Sequence, residues 1–309
     1  MLRVSVIIPV FNAAATVRSA IESALAQTFT DREIVAVDDG SSDGSLDILR
    51  SYQPQVRVLQ QQHRGPSAAR NLAIANSSGE YVGFLDADDL WMPEFLAKTV
   101  AVLESDPASV LVYTDLKLTD SQGKELGTTL IGARGVPTVK DMLEELWPIL
   151  PSSVVVRRRA LERAGGYPEQ LTSFEDVYLW LLLREQGEFR YLEEPLALWR
   201  FSLFPSPLKP AGGQEAAGRI FDRMVLERYG VSGRTHVKSR ERAPRTILAY
   251  IGLRALAEGD RLRARRALAR ALRFDRWRFK NYLRFARTFL PPAVARALSS
   301  RTGRATRVI

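Results

Sequence analysis

The sequence predicts an α/β protein with a mostly parallel central sheet, followed by an all-helical, basic C-terminal extension. Three observations carry this. From Val4 to Asp86 short β-branched runs alternate with helical stretches, the pattern of a parallel sheet covered by helices. Polar residues gather where those runs end: Phe11 and Asn12 after the first, Asp38 and Asp39 after the second, Asp86 to Asp89 after the fourth. Ligands of open α/β sheets bind beyond those strand ends. From Arg245 onward the pattern is helical and strongly basic. The expected organisation is an α/β domain over 1–230, a polar linker over 231–244 and an Arg-rich helical extension over 245–309.

The elements follow in order. The apolar run MLRVSVIIPVF is short and enters polar Asn12 directly, so it reads as a buried strand rather than a signal peptide. A helix over 14–27, strand EIVAVDD, a helix over 46–52, strand VRVLQ, a helix over 67–75 and strand YVGFLD come next. After Pro93 a helix runs to Glu104, then strand SVLVYTDL, a Gly-rich hairpin-like stretch over 123–135 and a helix over 139–146. Strand SSVVVRR and an amphipathic helix over 174–186 follow, then a Pro- and Gly-rich loop over 204–213 and a helix over 214–229. In the extension, helices are expected over 246–258, 261–274 and 277–290. The first two resemble one tetratricopeptide-type hairpin, without a second copy, so they need a neighbour to cover their apolar faces.

Composition bounds the chemistry. The 309 residues are 46% hydrophobic and 26% charged, enough for a buried, water-excluding site. The absence of cysteine excludes disulfides, thiolate metal sites and cysteine nucleophiles, and agrees with a reducing compartment. Two histidines leave little room for a histidine-rich metal site. Nowhere do 18 apolar residues run together, so no transmembrane helix is expected and membrane contact would be peripheral. The net charge of +9 is unevenly held: residues 240–309 carry 19 Lys and Arg against 4 Asp and Glu, which leaves residues 1–239 at −6. Such a tail suits anionic lipid, nucleic acid or a polyanionic acceptor, whereas the acidic remainder argues against a nucleic-acid-binding body.

Two acidic segments carry the functional signal. EIVAVDDGSSDGS ends a strand with two carboxylates and a turn that is equally able to cap the next helix. GEYVGFLDADDLWMP ends a strand with Asp86, Asp88 and Asp89 within four positions, costly unless a cation or donors neutralise them. Hard carboxylate oxygens favour Mg²⁺ or Mn²⁺, which complete their shells with phosphate and water, so a diphosphate ligand is expected. Arg70, on a helix beginning near Pro66, can point to the same edge; the alternative for it is a structural salt bridge.

VSVIIPVFN, QTFTDREIVAVDDGSSDGS, GPSAARN and GEYVGFLDADDLW, in this order and spacing, resemble glycosyltransferase family 2, inverting enzymes of GT-A fold, over about 2–201. The resemblance implies that Pro9, Phe11 and Asp39 hold the nucleotide base, with Asp38 as the alternative residue orienting that loop. It implies further that Asp86 approaches the ribose or a metal-bound water, that Asp88 ligates the metal, and that Arg70 supports the donor's charged part. TSFEDVYLW matches the family's Glu-Asp pair, which makes Asp176 the general base and Glu175 an acceptor-side residue. The alternative for Asp176 is a helix N-terminal acid stabilised by the dipole. Arg200 is a diphosphate contact by the same resemblance, or else an ion-pair partner of Glu193 or Glu194. Where many relatives carry a histidine two residues after that arginine, this chain has Ser202, and His63 lies too far upstream to be an obvious substitute.

The expected function is therefore transfer of a sugar from a nucleotide-sugar donor, a UDP-sugar first among candidates, to a glycan or lipid-linked acceptor. The helix over 261–274 segregates Ala264, Ala267, Leu268, Ala271 and Leu272 from its arginines, and RWRFKNYLRFARTFLPP interleaves aromatic and basic residues. That composition suits an anionic membrane surface, hence a cytoplasmic protein attached peripherally to the inner face of the plasma membrane. The competing expectation is an inactive sugar-nucleotide fold whose basic tail binds nucleic acid or a protein partner.

Overall fold

The computed structural model describes residues 3–119, 125–128, 135–144, 147, 149–200, 211–232, 261–274 and 285–286. The expected helix over 246–258, most of that over 277–290, the linker beyond 232 and Ser202 lie outside the described residues. The first half alternates β1 (Val4–Val10), α1 (Val17–Leu25), β2 (Arg32–Asp38), α2 (Ser45–Arg50), β3 (Arg57–Gln60), α3 (Pro66–Ala75) and β4 (Tyr81–Phe84). These strands pair in parallel, β2 with β3 and with β1, β1 with β4. β1 is rich in β-branched residues and buried on both faces, as a central parallel strand must be.

The second half holds β5 (Leu90–Trp91), α4 (Phe95–Ser105), β6 (Ser109–Thr119), β7 (Glu125–Thr128), α5 (Val139–Glu144), β8 (Val154–Arg157), α6 (Arg158–Ala164), α7 (Glu175–Arg184), β9 (Glu188–Arg200), α8 (Ala211–Tyr229) and α9 (Arg261–Phe274). The nine-stranded sheet runs β3-β2-β1-β4-β8-β6-β9-β5, with β7 beside β6. β8 enters antiparallel between β4 and β6, and β9 runs parallel to β6 through three register shifts. The sheet is thus parallel on the β1 side and mixed beyond β4.

Four elements differ from expectation. α7 is not amphipathic: Glu175 and Asp176 are buried together with Val177, Tyr178, Leu179, Trp180, Leu181 and Leu183, so this helix lies inside the core and brings its acidic turn with it. α8 begins at Ala211, so Gly212 and Gly213 are helical rather than part of the loop. Packing overrides their weak propensity, since Phe221, fully buried further along α8, meets Phe174 with ring centroids 5.2 Å apart. α6 and β5 were not anticipated; α6 ends at Gly165 in the left-handed conformation. In α9, Ala264 and Leu268 are buried while Leu262 and Arg266 are exposed, the face expected from the sequence. Among the described residues no helix is long and apolar enough to cross a membrane.

Candidate active site

The C-terminal ends of β1 and β2 form one edge of the site. Asn12, with φ of 50°, is laced to the loop after β2: its N–H donates to Ser41 Oγ at 3.0 Å and its Oδ1 accepts the Ser42 N–H at 2.8 Å. Ser45 Oγ accepts the Ala13 N–H at 2.8 Å, and Asp43 accepts N–H groups of Ala14 and Ser45. The serines of GSSDGS therefore serve the turn itself. Pro9 and Phe11 are half-buried at this edge, and the Phe11 ring stacks on His63 with centroids 4.0 Å apart.

The two aspartates that follow β2 differ in what they hold. Asp39 is buried and accepts from Gln61 Nε2 at 2.7 Å, the Arg64 N–H at 2.8 Å and the Gly65 N–H at 2.9 Å, while His63 Nδ1 lies 2.9 Å from its Oδ2 and 3.2 Å from its backbone carbonyl. A carboxylate offers about four lone-pair sites, so its capacity is filled by the loop that leads into α3. Asp38 is fully buried; one oxygen accepts the Ser41 N–H at 3.3 Å, and its Oδ1 has no hydrogen-bond partner. Asp39 is thus the carboxylate that organises the Gln61–Gly65 loop, the role the sequence offered to Asp38. His63, set aside on sequence grounds, joins Asp39 to Phe11.

The acidic loop after β4 lies at the middle of the edge. Asp86 is half-buried; its Oδ1 accepts from Arg70 Nη2 at 2.6 Å and its N–H donates to Ser152 Oγ at 3.1 Å. Asp88 is exposed. Asp89 is buried and accepts the Arg200 N–H at 3.1 Å. Burial, then the charges of Asp88 and Asp86, push Asp89 well above the ordinary carboxylate range, against hydrogen bonds from Ser152 and the Arg200 backbone. Local negative charge is therefore in excess, which a cation would relieve. Among the described residues no three His, Cys, Asp or Glu side chains gather closely enough to hold an ion unaided. This donor set fits Mg²⁺ or Mn²⁺, which bind through one or two carboxylates with substrate phosphates completing the shell.

The third part comes from α7. Phe174 takes a left-handed conformation, φ 68°, a strained choice for a bulky residue, and turns the chain so that Glu175 and Asp176 open the helix at the site. Arg70, only 4% exposed, joins them to the acidic loop: beyond its bond to Asp86, its Nη1 lies 3.7 Å from Glu175 Oε1 and its guanidinium 4.9 Å from the Tyr167 ring centroid. Burial pulls the Arg70 pKa down, but Asp86, Tyr167 and Glu175 outweigh it and hold the group charged. Burial likewise raises Tyr167 well above its usual value. Among the described residues Nε and Nη1 of Arg70, Oε2 of Glu175 and the Tyr167 hydroxyl have no hydrogen-bond partner, nor has Arg200 Nε. Glu194, one of the two carboxylates expected as ion-pair partners of Arg200, pairs with Lys98 at 2.6 Å. Ser152, Tyr167 and Asn71 join the site without having been singled out, because their partners are distant in sequence.

A parallel half ending in a buried carboxylate pair, an acidic loop at its last strand and a second acidic pair from the mixed half define a GT-A-type architecture. Solved structures share this fold. TarS of S. aureus in complex with UDP-GlcNAc matches with a TM-score of 0.56 at 21% identity, covering 99% of this chain and 90% of that one. The mannosyltransferase PcManGT from Pyrobaculum calidifontis, in complex with GDP-Man and Mn²⁺, matches with a TM-score of 0.53 at 18% identity, covering 96% and 84%. The family model Glycosyl transferase family 2 matches residues 5–160, and the chain belongs to that family. An uncharacterized glycosyltransferase of Nostoc sp., alr2836, is 33% identical over 212 residues, 64% of this chain and 65% of the relative. The chain spans between 34% and 65% of the length of the first curated relatives it matches.

Proposed function

We propose that the chain is a metal-dependent, inverting glycosyltransferase of hexosyltransferase type. It moves a sugar from a nucleotide-diphosphate donor, a UDP-sugar in the first instance, to a hydroxyl of a glycan or lipid-linked acceptor in cell-surface polysaccharide or glycolipid synthesis. The observation that carries this reading is the buried Arg70, which ties Asp86 of the acidic loop to Glu175 beside Asp176 and so gathers donor-side and acceptor-side carboxylates at one sheet edge.

In this reading Pro9 and Phe11 line the base slot. Asp39 fixes the loop that borders it, and the partnerless oxygen of Asp38 has acceptor capacity for a base N–H. Asp86 faces the ribose, Arg200 meets the diphosphate, and Arg70 supports the donor through Asp86. Asp88, with Asp86 beside it, would hold a divalent cation, which when bound offsets the charge that develops on the leaving diphosphate. Asp176 removes the proton of the acceptor hydroxyl while Glu175 orients the acceptor. The acceptor oxygen then bonds to the anomeric carbon as the bond to the diphosphate breaks, and single displacement inverts the configuration. No covalent enzyme intermediate is needed.

The catalytic domain spans 1–230, a linker 231–244, and the helical extension 245–309 supplies peripheral attachment to anionic lipid at the inner face of the plasma membrane. The exposed Leu262 and the arginines of α9 favour that role. TarS was solved in complex with UDP-GlcNAc and PcManGT in complex with GDP-Man and Mn²⁺, which supports a sugar-nucleotide and a divalent cation here. The test is turnover of UDP-, GDP- and dTDP-sugars with Mn²⁺ by the wild type and Asp88→Ala. Turnover in the wild type that falls about a hundredfold or more in the variant is expected. Equal rates in the two proteins would reject the reading.

A further inference from the structure

Asn71 has no role in the reaction proposed above, yet it fastens α3 to the acceptor half. Its side-chain amide closes on the Tyr167 backbone from both sides: Nδ2 donates to the Tyr167 carbonyl at 2.9 Å, and Oδ1 accepts the Tyr167 N–H at 2.8 Å. Nδ2 also donates to Glu169 Oε1 at 3.1 Å. Asparagine carries donor and acceptor together on the shortest stem available. Gly166 is shaped to this grip. Its φ is 75°, and a Cβ there would stand 2.7 Å from Asn71 Oδ1, so both the backbone and the space require glycine.

What the clamp holds is a ring wedged between the two halves of the site. Tyr167 is 2% exposed and lies under the Arg70 guanidinium. It meets Phe84 edge-on, with centroids 5.3 Å apart and planes at 89°, and Trp180 at 6.4 Å and 70°. Phe84 ends β4, two residues before Asp86; Trp180 lies on α7 one turn after Asp176. The Tyr167 hydroxyl has no hydrogen-bond partner, so the ring, rather than the phenol oxygen, is what the packing uses.

We propose that Asn71 is a positioning residue: by clamping Tyr167 it sets the spacing between Asp86 and the Glu175–Asp176 pair. This rests on the functional reading above and extends it to a residue that touches no substrate. When the clamp is lost the turn around Tyr167 relaxes and the acidic end of α7 shifts. A misplacement of about 1 Å can cost on the order of a hundredfold in rate. The base slot, built by the loops after β1 and β2, keeps its affinity.

The test uses the full chain as wild type, Asn71→Ala and Asn71→Asp, with three readouts. These are hydrogen exchange across residues 165–176, calorimetric affinity for UDP with Mn²⁺, and turnover of UDP-GlcNAc with water as acceptor. For Asn71→Ala, exchange in that segment rises at least about tenfold and turnover falls about ten- to a hundredfold, while UDP affinity stays within about threefold. Asn71→Asp, which keeps the acceptor for the Tyr167 N–H and loses the donor, falls between, and it carries the same readouts if the alanine variant does not fold. Unchanged exchange or turnover in the Asn71 variants overturns the proposal, as does parallel loss of turnover and UDP affinity. If the wild type neither binds UDP nor turns over the donor, the functional reading fails by itself; unchanged exchange in Asn71→Ala would then still overturn the clamp.

Discussion

The edge after β2 and the edge around Arg70 bury their carboxylates in opposite ways. Asp39 is satisfied by N–H groups of a single loop, those of Gln61, Arg64 and Gly65. Asp86 and Glu175, far apart in sequence, lean on one buried guanidinium whose Nε and Nη1 have no hydrogen-bond partners. The edge after β2 is therefore a preorganised, locally encoded structure. The edge around Arg70 is a long-range assembly that leans on one bridging guanidinium.

Single substitutions should expose this asymmetry. The largest loss of stability is expected for Arg70→Ala, which leaves two buried or half-buried carboxylates unpaired; chemical denaturation should show about 3–5 kcal/mol. Asp39→Ala strips partners from loop N–H groups that can turn partly to water, so about 1–3 kcal/mol is expected. If Asp39→Ala proved the costlier of the two, the contrast between the edges would be wrong. Tyr167→Phe removes a buried hydroxyl without a partner and should be neutral or stabilising by up to about 1 kcal/mol, read from thermal unfolding. A marked loss would mean that the phenol oxygen has a partner after all.

The smallest effect lies away from the site, where Arg228 of α8 meets Glu185 at the end of α7 at 2.5 Å. The hydrogen bond from Arg228 holds the Glu185 carboxyl below its usual value despite partial burial. A depressed folded-state pKa contributes stability above the unfolded value and loses it as pH falls through the folded one. Both side chains are partly exposed, so Glu185→Gln should cost a few tenths of a kcal/mol, about 0.5, at neutral pH. The gap from wild type should close on acidification below about pH 4. A gap independent of pH would assign the effect to packing instead.

The same asymmetry explains what was legible in the sequence. Strands β1, β2 and β4, helix α3 and the carboxylates at their ends follow from hydrophobic period and turn residues, because each is specified within a strand–turn–helix unit. That Asp39 rather than Asp38 meets the loop before α3 was not legible, since it depends on which carboxylate faces that loop. Nor was the Phe11–His63 stack, which joins residues on different loops. In the mixed half, the acidic pair was readable at the start of α7, but its burial was not, because that end of the helix meets Arg70 of α3, far away in sequence. Arg70 was visible as a cation pointing to the edge. That it bridges two carboxylates, with Asn71 gripping the next turn, emerges only from tertiary packing.

In the proposed reading, donor recognition and acceptor activation reside in separate, linked halves of the site. The most direct measurement of that separation is a calorimetric titration of UDP with Mn²⁺ into Asp176→Asn, a variant expected to lose about 10²–10⁴-fold in turnover as the general base is neutralised. The affinity should stay within about threefold of the wild type. Loss of UDP binding in this variant, with binding intact in the wild type, would contradict the separation of the two halves.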